Sequence, residues 1–160
     1  MLKFVKALHL IGLAMFFGSI LGHITMGLVP GVSEDPGTAL VARQAIDVAT
    51  SYLTLPGLAL LLVTGAFMAV KGRLPILRRR WLMLHIVFGA LILLNAAFVL
   101  APLGQELLGL ATEAAAGTGP LERIHRLEGR EAAFGAANVL FCLAALMLAA
   151  IKPGLGRPER

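Results

Sequence analysis

Charge is scarce in this chain: of 160 residues only 14% are Asp, Glu, Lys or Arg, about half the share of an ordinary soluble domain. Cysteine is limited to Cys142, which excludes a disulfide framework, a CxxC redox pair and any multi-cysteine metal site. Aromatic residues make up 6%, with a single tryptophan and a single tyrosine. No nucleophile–base constellation, phosphate-binding glycine loop or zinc-spaced motif occurs. What fills the chain instead is apolar: 58% of residues are hydrophobic and mean hydropathy is +0.86. Such a composition excludes disorder and a water-soluble globule alike.

The apolar residues fall into four runs, Ala7–Val29, Val48–Val70, Trp81–Leu103 and Ala132–Ile151. Each has the ~20 residues that a helix rising ~1.5 Å per residue needs to cross a bilayer. None alternates strictly, so a β-barrel is not indicated. The expected fold is all-α: an up-and-down bundle of four membrane helices over about 4–29, 40–71, 80–103 and 121–151, forming one transmembrane domain across 1–160. Lys3 and Lys6 give the first run a signal-like start, but the run is too long for an h-region and no A-x-A site follows. It reads as a retained span. Pro30-Gly31, Pro36-Gly37, Gly72, Pro75, Pro102, Gly104 and Gly117 to Pro120 punctuate the runs. Pro56 falls inside the second helix, where it frees the Tyr52 carbonyl and is expected to kink the span. Gln105 to Ala116 reads as a short surface helix.

The formal charge of +5 acquires a meaning once it is sorted by side. Four crossings put Lys3, Lys6, Lys71, Arg73, Arg78, Arg79, Arg80, Lys152, Arg157 and Arg160 on one side, against Glu159 alone. The other side has Arg43, Arg123, Arg126 and Arg130 against Glu34, Asp35, Asp47, Glu106, Glu113, Glu122, Glu128 and Glu131. The split is +9 against −4. By the positive-inside rule both termini and the Arg78–Arg80 loop are expected in the cytoplasm, and the location is expected to be a bacterial inner membrane. Basicity thus reports topology, and nucleic acid is not an expected partner. The arginine run reads as an anchor for that topology. The sharper alternative is a cradle for lipid headgroups or for the propionates of a bound porphyrin.

An ionisable side chain inside a span is costly and therefore a functional candidate. His9, His23 and His85 qualify, with His125 just outside. His9 lies three residues past Lys6 and His85 five past Arg80, so the two imidazoles share a depth of roughly 4.5 to 7.5 Å from the basic side. They sit on helices running the same way, which can face each other diagonally across a bundle. Two facing histidines at one depth are what a haem iron needs as axial ligands. His23 follows His9 by fourteen residues, nearly on the same face and about 21 Å along the axis. A second haem there would need His125, whose charged stretch Arg126–Glu131 places it nearer the surface. Each histidine alone also reads as a residue that snorkels or bonds a neighbouring carbonyl, and His125 with Glu122 and Glu128 as a solvated helix start.

Ala14, Gly18 and Gly22 form a small-residue ridge expected to pack helices closely, while Gly12, beside His9, is better placed to let a flat macrocycle approach. Asn95 and Asn138 read as amides bonding across helices, and Thr54 and Thr64 as hydroxyls satisfying backbone carbonyls. Asp47 at the edge of the second helix is the one carboxylate near a span, which argues against a carboxylate proton relay through the membrane.

The stretch Lys3-Phe4-Val5-Lys6-Ala7-Leu8-His9-Leu10-Ile11-Gly12 to Phe17-Gly18 resembles the opening helix of the HemJ-type protoporphyrinogen oxidases and of the related CopD-like bacterial membrane proteins. Pro56-Gly57 to Thr64-Gly65 resembles their second helix, and Trp81-Leu82 the start of their third. The resemblance implies a haem-binding membrane bundle with His9 as a ligand. Where HemJ-type sequences tend to carry lysine four residues after the tryptophan, this chain has His85, a second nitrogen ligand. The expectation is therefore a haem b protein, one haem rather than two, acting in electron transfer or in redox chemistry on a quinone or small oxidant. His9 and His85 would bind the iron, with His23, His125, Gly12 and Arg78 as further cofactor-binding candidates. The alternatives are a non-catalytic protein that moves or senses haem or copper, a protoporphyrinogen oxidase-like enzyme, and a structural subunit. Expected partners are the bilayer and a quinone or redox protein, with a homo-oligomer left open.

Overall fold

A peptide backbone in hydrocarbon must satisfy its own hydrogen bonds, and a helix does this within one segment. In a computed structural model of the chain, which describes residues 1–32, 34–72, 79–119 and 121–153, all four apolar runs are helical. Helix α1 spans Leu2–Gly27, α2 Pro36–Lys71, α3 Arg80–Ala115 and α4 Leu121–Ile151. Among the described residues these are the four helices long and apolar enough to cross a membrane, and no strand occurs. The protein is a four-helix membrane bundle. Large apolar side chains such as Val63, Phe98 and Leu140 stand exposed on its flanks, as lipid-facing residues do.

Two helices are longer than the sequence suggests. Each of α2 and α3 has 36 residues, about 54 Å of helix against a hydrocarbon core of about 30 Å. The extra length lies at the acidic end. There α2 starts at Pro36 instead of near residue 40, because Asp35 caps it and proline suits the first helical position. The Thr38 hydroxyl and amide both donate to the Asp35 carboxylate, at 2.6 and 2.7 Å. These bonds hold the carboxyl's pKa below its ordinary value, so the cap is complete at neutral pH and is lost only as acid protonates it.

The expected surface helix at Gln105–Ala116 is instead the continuation of α3, which runs through Pro102 to Ala115. Proline lacks an N–H, so it should break the ladder. Here the ladder widens to a turn of π-helix over Ala96–Leu100, just ahead of Pro102. The same device, a π turn over Thr50–Thr54 ahead of Pro56, stands where a kink in α2 is expected. A π turn shifts the register by one residue and lets the helix resume beyond the missing donor. Beyond Ala115, Gly117 takes the left-handed conformation (φ 79°) that ends α3.

In the apolar layer α1 lies along α2 and α3 lies along α4, while α1 and α4 touch more lightly. Phe16, Ile20, Leu58, Ile92 and Cys142 form the buried cluster there. At the acidic end the arm Pro36–Ala49 of α2 packs on the arm Ala101–Ala115 of α3, and the latter on α4. A second cluster, Leu103, Leu107, Leu110, Ala114, Ile124 and Leu127, fills that region.

The α1–α2 contact depends on glycine, but not on the ridge the sequence suggests. Gly18 and Gly22 have open space where a Cβ would stand, and Ala14 is exposed. The close approach is made by Gly12 against Gly57: a Cβ on Gly12 would lie 3.0 Å from the Gly57 carbonyl oxygen and 3.1 Å from the Leu61 nitrogen. That face of Gly12 is filled by α2, so it serves helix packing and leaves no gap there for a macrocycle. Between α3 and α4, Asn95 donates to the Phe134 carbonyl (2.9 Å) and to Asn138 Oδ1 (3.2 Å), the expected amide bridge.

Candidate functional site

The helix pairing decides what surrounds each histidine. His9 on α1 faces Thr64 on α2, and its Nδ1 lies 2.9 Å from Thr64 Oγ1. The Thr64 hydroxyl donates to the Leu60 carbonyl one turn back, so its oxygen is left to accept from His9 Nδ1–H. Gly65 lets α2 pass beside the ring, since a Cβ there would already touch His9 Cε1 at 3.5 Å. On the other pair, His85 Nδ1 of α3 lies 2.9 Å from the Ala145 carbonyl oxygen of α4. A carbonyl only accepts, so His85 also carries its proton on Nδ1.

As neutral rings, both imidazoles therefore place the proton on Nδ1 and leave Nε2 with its lone pair. Both are half-buried, one on each helix pair. An imidazole whose Nδ1–H is held by an oxygen acceptor while Nε2 offers a lone pair is the usual form of a metal-bound histidine. Exposed Lys3, Lys6, Lys71, Arg79 and Arg80 surround this end of the bundle. Arg73 and Arg78, the latter a cofactor-binding candidate, lie outside the described residues.

The remaining two histidines occupy the acidic end in different surroundings. His23 Nε2 lies 3.3 Å from Ser19 Oγ and 3.5 Å from Thr50 Oγ1, at the π turn of α2. Ser19 in turn lies 2.6 Å from Thr54 Oγ1. His125 is exposed, its Nδ1 3.5 Å from Glu128 Oε2 on its own helix. No hydrogen bond or ion pair joins His23 to His125 among the described residues.

Several residues at this end are not singled out by the sequence. Arg43 of α2 donates to Glu128 at 3.1 Å and to Glu131 at 2.5 Å, both on α4, with the guanidinium side chain 11% exposed. Nothing in the sequence pairs position 43 with positions 85 and 88 residues away. Gln105 of α3 donates to Asp47 of α2 (2.8 Å), and Arg123 pairs with Glu106. Removing the Arg43 guanidinium leaves two partly buried carboxylates facing each other. Arg43→Ala is expected to cost about 2 kcal/mol, below the range for fully buried pairs because the site is partly solvated. Arg123→Ala, whose pair is exposed, is expected to cost under about 0.5 kcal/mol. Unfolding in mixed micelles compares the two, and equal effects would mean that the Arg43 pairing holds nothing together.

A family model for predicted integral membrane proteins, DUF2269, matches residues 3–153. No curated protein and no solved structure matches the chain. The family match goes as far as an integral membrane protein, and the HemJ-type and CopD-like resemblance is finer than it reaches. On a match that spans nearly the whole of a four-helix membrane bundle, the chain belongs to the DUF2269 family of predicted integral membrane proteins.

Proposed function

We propose that this protein binds haem b through His9 and His85 and acts in electron transfer, or in redox chemistry on a quinone or small oxidant. The observation that carries the reading is that each imidazole sets Nδ1 against an oxygen of the neighbouring helix, Thr64 Oγ1 for His9 and the Ala145 carbonyl for His85, an arrangement that leaves Nε2 available as a ligand. Two nitrogens suit haem in particular. Its macrocycle brings four ligands and leaves two axial positions, whereas a bare zinc ion needs three or four protein donors.

Haem, when bound, supplies one-electron exchange. The chain's own residues do the rest. Thr64 Oγ1 and the Ala145 carbonyl orient the two rings and strengthen them as bases. Lys6, Lys71, Arg79 and Arg80 offer the positive charge that propionates need. The apolar walls of the two helix pairs keep water away. The same charge asymmetry supports a bacterial cytoplasmic membrane with the basic end inside.

An absorption spectrum of protein purified from haem-replete cells tests the reading. Reduced-minus-oxidised α and Soret bands are expected, and His9→Ala and His85→Ala are each expected to remove the six-coordinate signal. A colourless wild-type preparation overturns haem binding. A six-coordinate spectrum surviving in both variants moves the ligands to His23 and His125. A haem carrier would show the same bands but no reduction by quinol.

A further inference from the structure

We propose that the seam between α1 and α4 at the basic end binds one anionic phospholipid, with Lys3, Lys6 and Lys152 on its phosphate and an acyl chain in the groove beneath them. This does not depend on the ligation proposed for His9 and His85. Lys6 is offered to both ligands, whereas Lys3 and Lys152 serve only the lipid.

The groove is the first support. Leu13 and Phe17 of α1 and Cys142, Leu143 and Leu146 of α4 line a space of about 50 Å³, where the two helices touch only lightly. Leu143 and Leu146 are 41% and 42% exposed, so the groove opens towards the lipid. Small-molecule pockets start at roughly 300 Å³. A ring system has no room here, whereas a polymethylene chain can lie along such a slot and leave by its open side.

The cations belong to the same two helices, at the matching depth. Lys6 precedes Leu13 by seven residues, two turns along one face of α1, and lies about 10.5 Å nearer the basic end. Lys152 follows Leu146 by six residues, about 9 Å along the axis of α4. Lys3 stands one turn beyond Lys6. All three are exposed, and among the described residues no carboxylate stands at this end to neutralise them. Charge at the headgroup level and an apolar slot about 10 Å deeper match the two halves of a phospholipid. Basic sites between membrane helices on the cytoplasmic side select anionic headgroups. A zwitterionic lipid brings its own positive charge beside the phosphate and gains less.

The backbone at Lys152 is the third support. Among the described residues it alone, glycines apart, has a positive φ, at 45°, while its N–H still closes the helix on the Leu148 carbonyl at 3.0 Å. Glycine takes this conformation at helix ends without steric cost, whereas a Cβ there crowds the backbone carbonyl. Pro153 follows, and its missing N–H prevents a further turn. Strain that glycine would relieve points to a use for the side chain. An ammonium at the end of α4 has that use when it meets a phosphate.

The test uses phosphatidylglycerol carrying a diazirine midway along one acyl chain, with the protein in phosphatidylcholine nanodiscs. Photolysis, read by peptide mass spectrometry, is expected to label Leu13–Phe17 and Cys142–Leu146 at least about fivefold above the same tail on phosphatidylcholine. Lys3→Gln combined with Lys152→Gln is expected to weaken phosphatidylglycerol binding by about 25-fold, roughly fivefold for each charge. Should the double variant not fold, Lys152→Gln alone is read in the same way. Leu146→Trp, which fills the groove, is expected to remove the label from both segments. Label spread evenly over lipid-facing residues such as Val63 and Phe98 marks annular lipid only and overturns the proposal. Labelling indifferent to the headgroup or to the lysine variants overturns it equally, as does displacement by soluble glycerol phosphate, which would make the ligand a free phosphate compound.

Discussion

Gly57→Leu is expected to push α1 and α2 apart and to destabilise the bundle by about 3 kcal/mol, the upper end for overpacking a tight contact. A Cβ at residue 57 would stand 2.7 Å from the Phe16 backbone nitrogen and 3.0 Å from the Gly12 carbonyl oxygen. Both are backbone atoms and cannot swing aside as a side-chain end would. Alanine at this position gains about 1 kcal/mol of helix propensity over glycine, which partly offsets the clash; leucine adds three more carbons to the collision and makes the sign unambiguous. Gly18→Ala and Gly22→Ala, made where no atom lies within 4 Å, are the controls and are expected to keep stability or raise it by up to about 1 kcal/mol, since the propensity gain meets no clash. Unfolding in mixed micelles gives the comparison. If the ridge variants were the damaging ones, the close helix contact would have to lie at Ala14, Gly18 and Gly22. A displaced α2 has a second effect, since Thr64 lies two turns beyond Gly57 on the same helix.

Thr64→Val is expected to lower haem affinity by a factor of 10 to 100, the usual consequence of losing the acceptor behind a metal-bound histidine. Valine keeps the shape of threonine and removes only the oxygen. His9 Nδ1–H then has no acceptor, the ring can turn, and the proton is free to move to Nε2 and block the lone pair. Thr64→Ser restores the oxygen and is expected to recover most of the affinity. Haem titration of the apoprotein measures this, with the α-band as a readout that loss of packing alone would not move. The two histidines are unequal in this respect. The acceptor behind His85 is the Ala145 backbone carbonyl, which no side-chain substitution removes, so the site is open to this dissection only from the His9 side. Equal haem affinity in Thr64→Val and wild type would show that the hydroxyl does not position the ligand.

The bundle was readable because membrane helices announce themselves: a long uncharged run leaves the backbone no other way to satisfy itself. The ends of α2 and α3 were not, because hydropathy falls where a helix enters water although the helix itself continues. Pro102 and Gly104 look like a stop, yet the π turn over Ala96–Leu100 carries the chain past the missing donor, and Leu103, Leu107 and Leu110 keep one apolar face. His9 and His85 stood out as ionisable residues in apolar runs. Their acceptors did not: Thr64 is 55 residues from His9, and Ala145 contributes only a carbonyl. Thr64 was legible as a hydroxyl serving a backbone carbonyl, which it does for Leu60. The Gly12–Gly57 contact lies between two helices whose relative rotation no single-helix pattern fixes, whereas Ala14, Gly18 and Gly22 share a face that α2 does not cover.

Helices α2 and α3 each lie in two solvents. Between their π turns and the basic end they are bathed in hydrocarbon, where burying a leucine against a neighbour yields only packing, because lipid is as apolar as protein. The arms beyond the turns stand at the acidic end, and the Leu103–Leu107–Leu110–Ile124–Leu127 cluster is hidden from water. Cohesion there is entropic near room temperature, carries a large heat-capacity change and fades on cooling or in urea. One continuous rod therefore joins two thermodynamically unlike bodies. Cold or denaturant loosens the arms first, and with them the Arg43 contacts to α4, while the lipid-embedded pairs α1–α2 and α3–α4 stay closed.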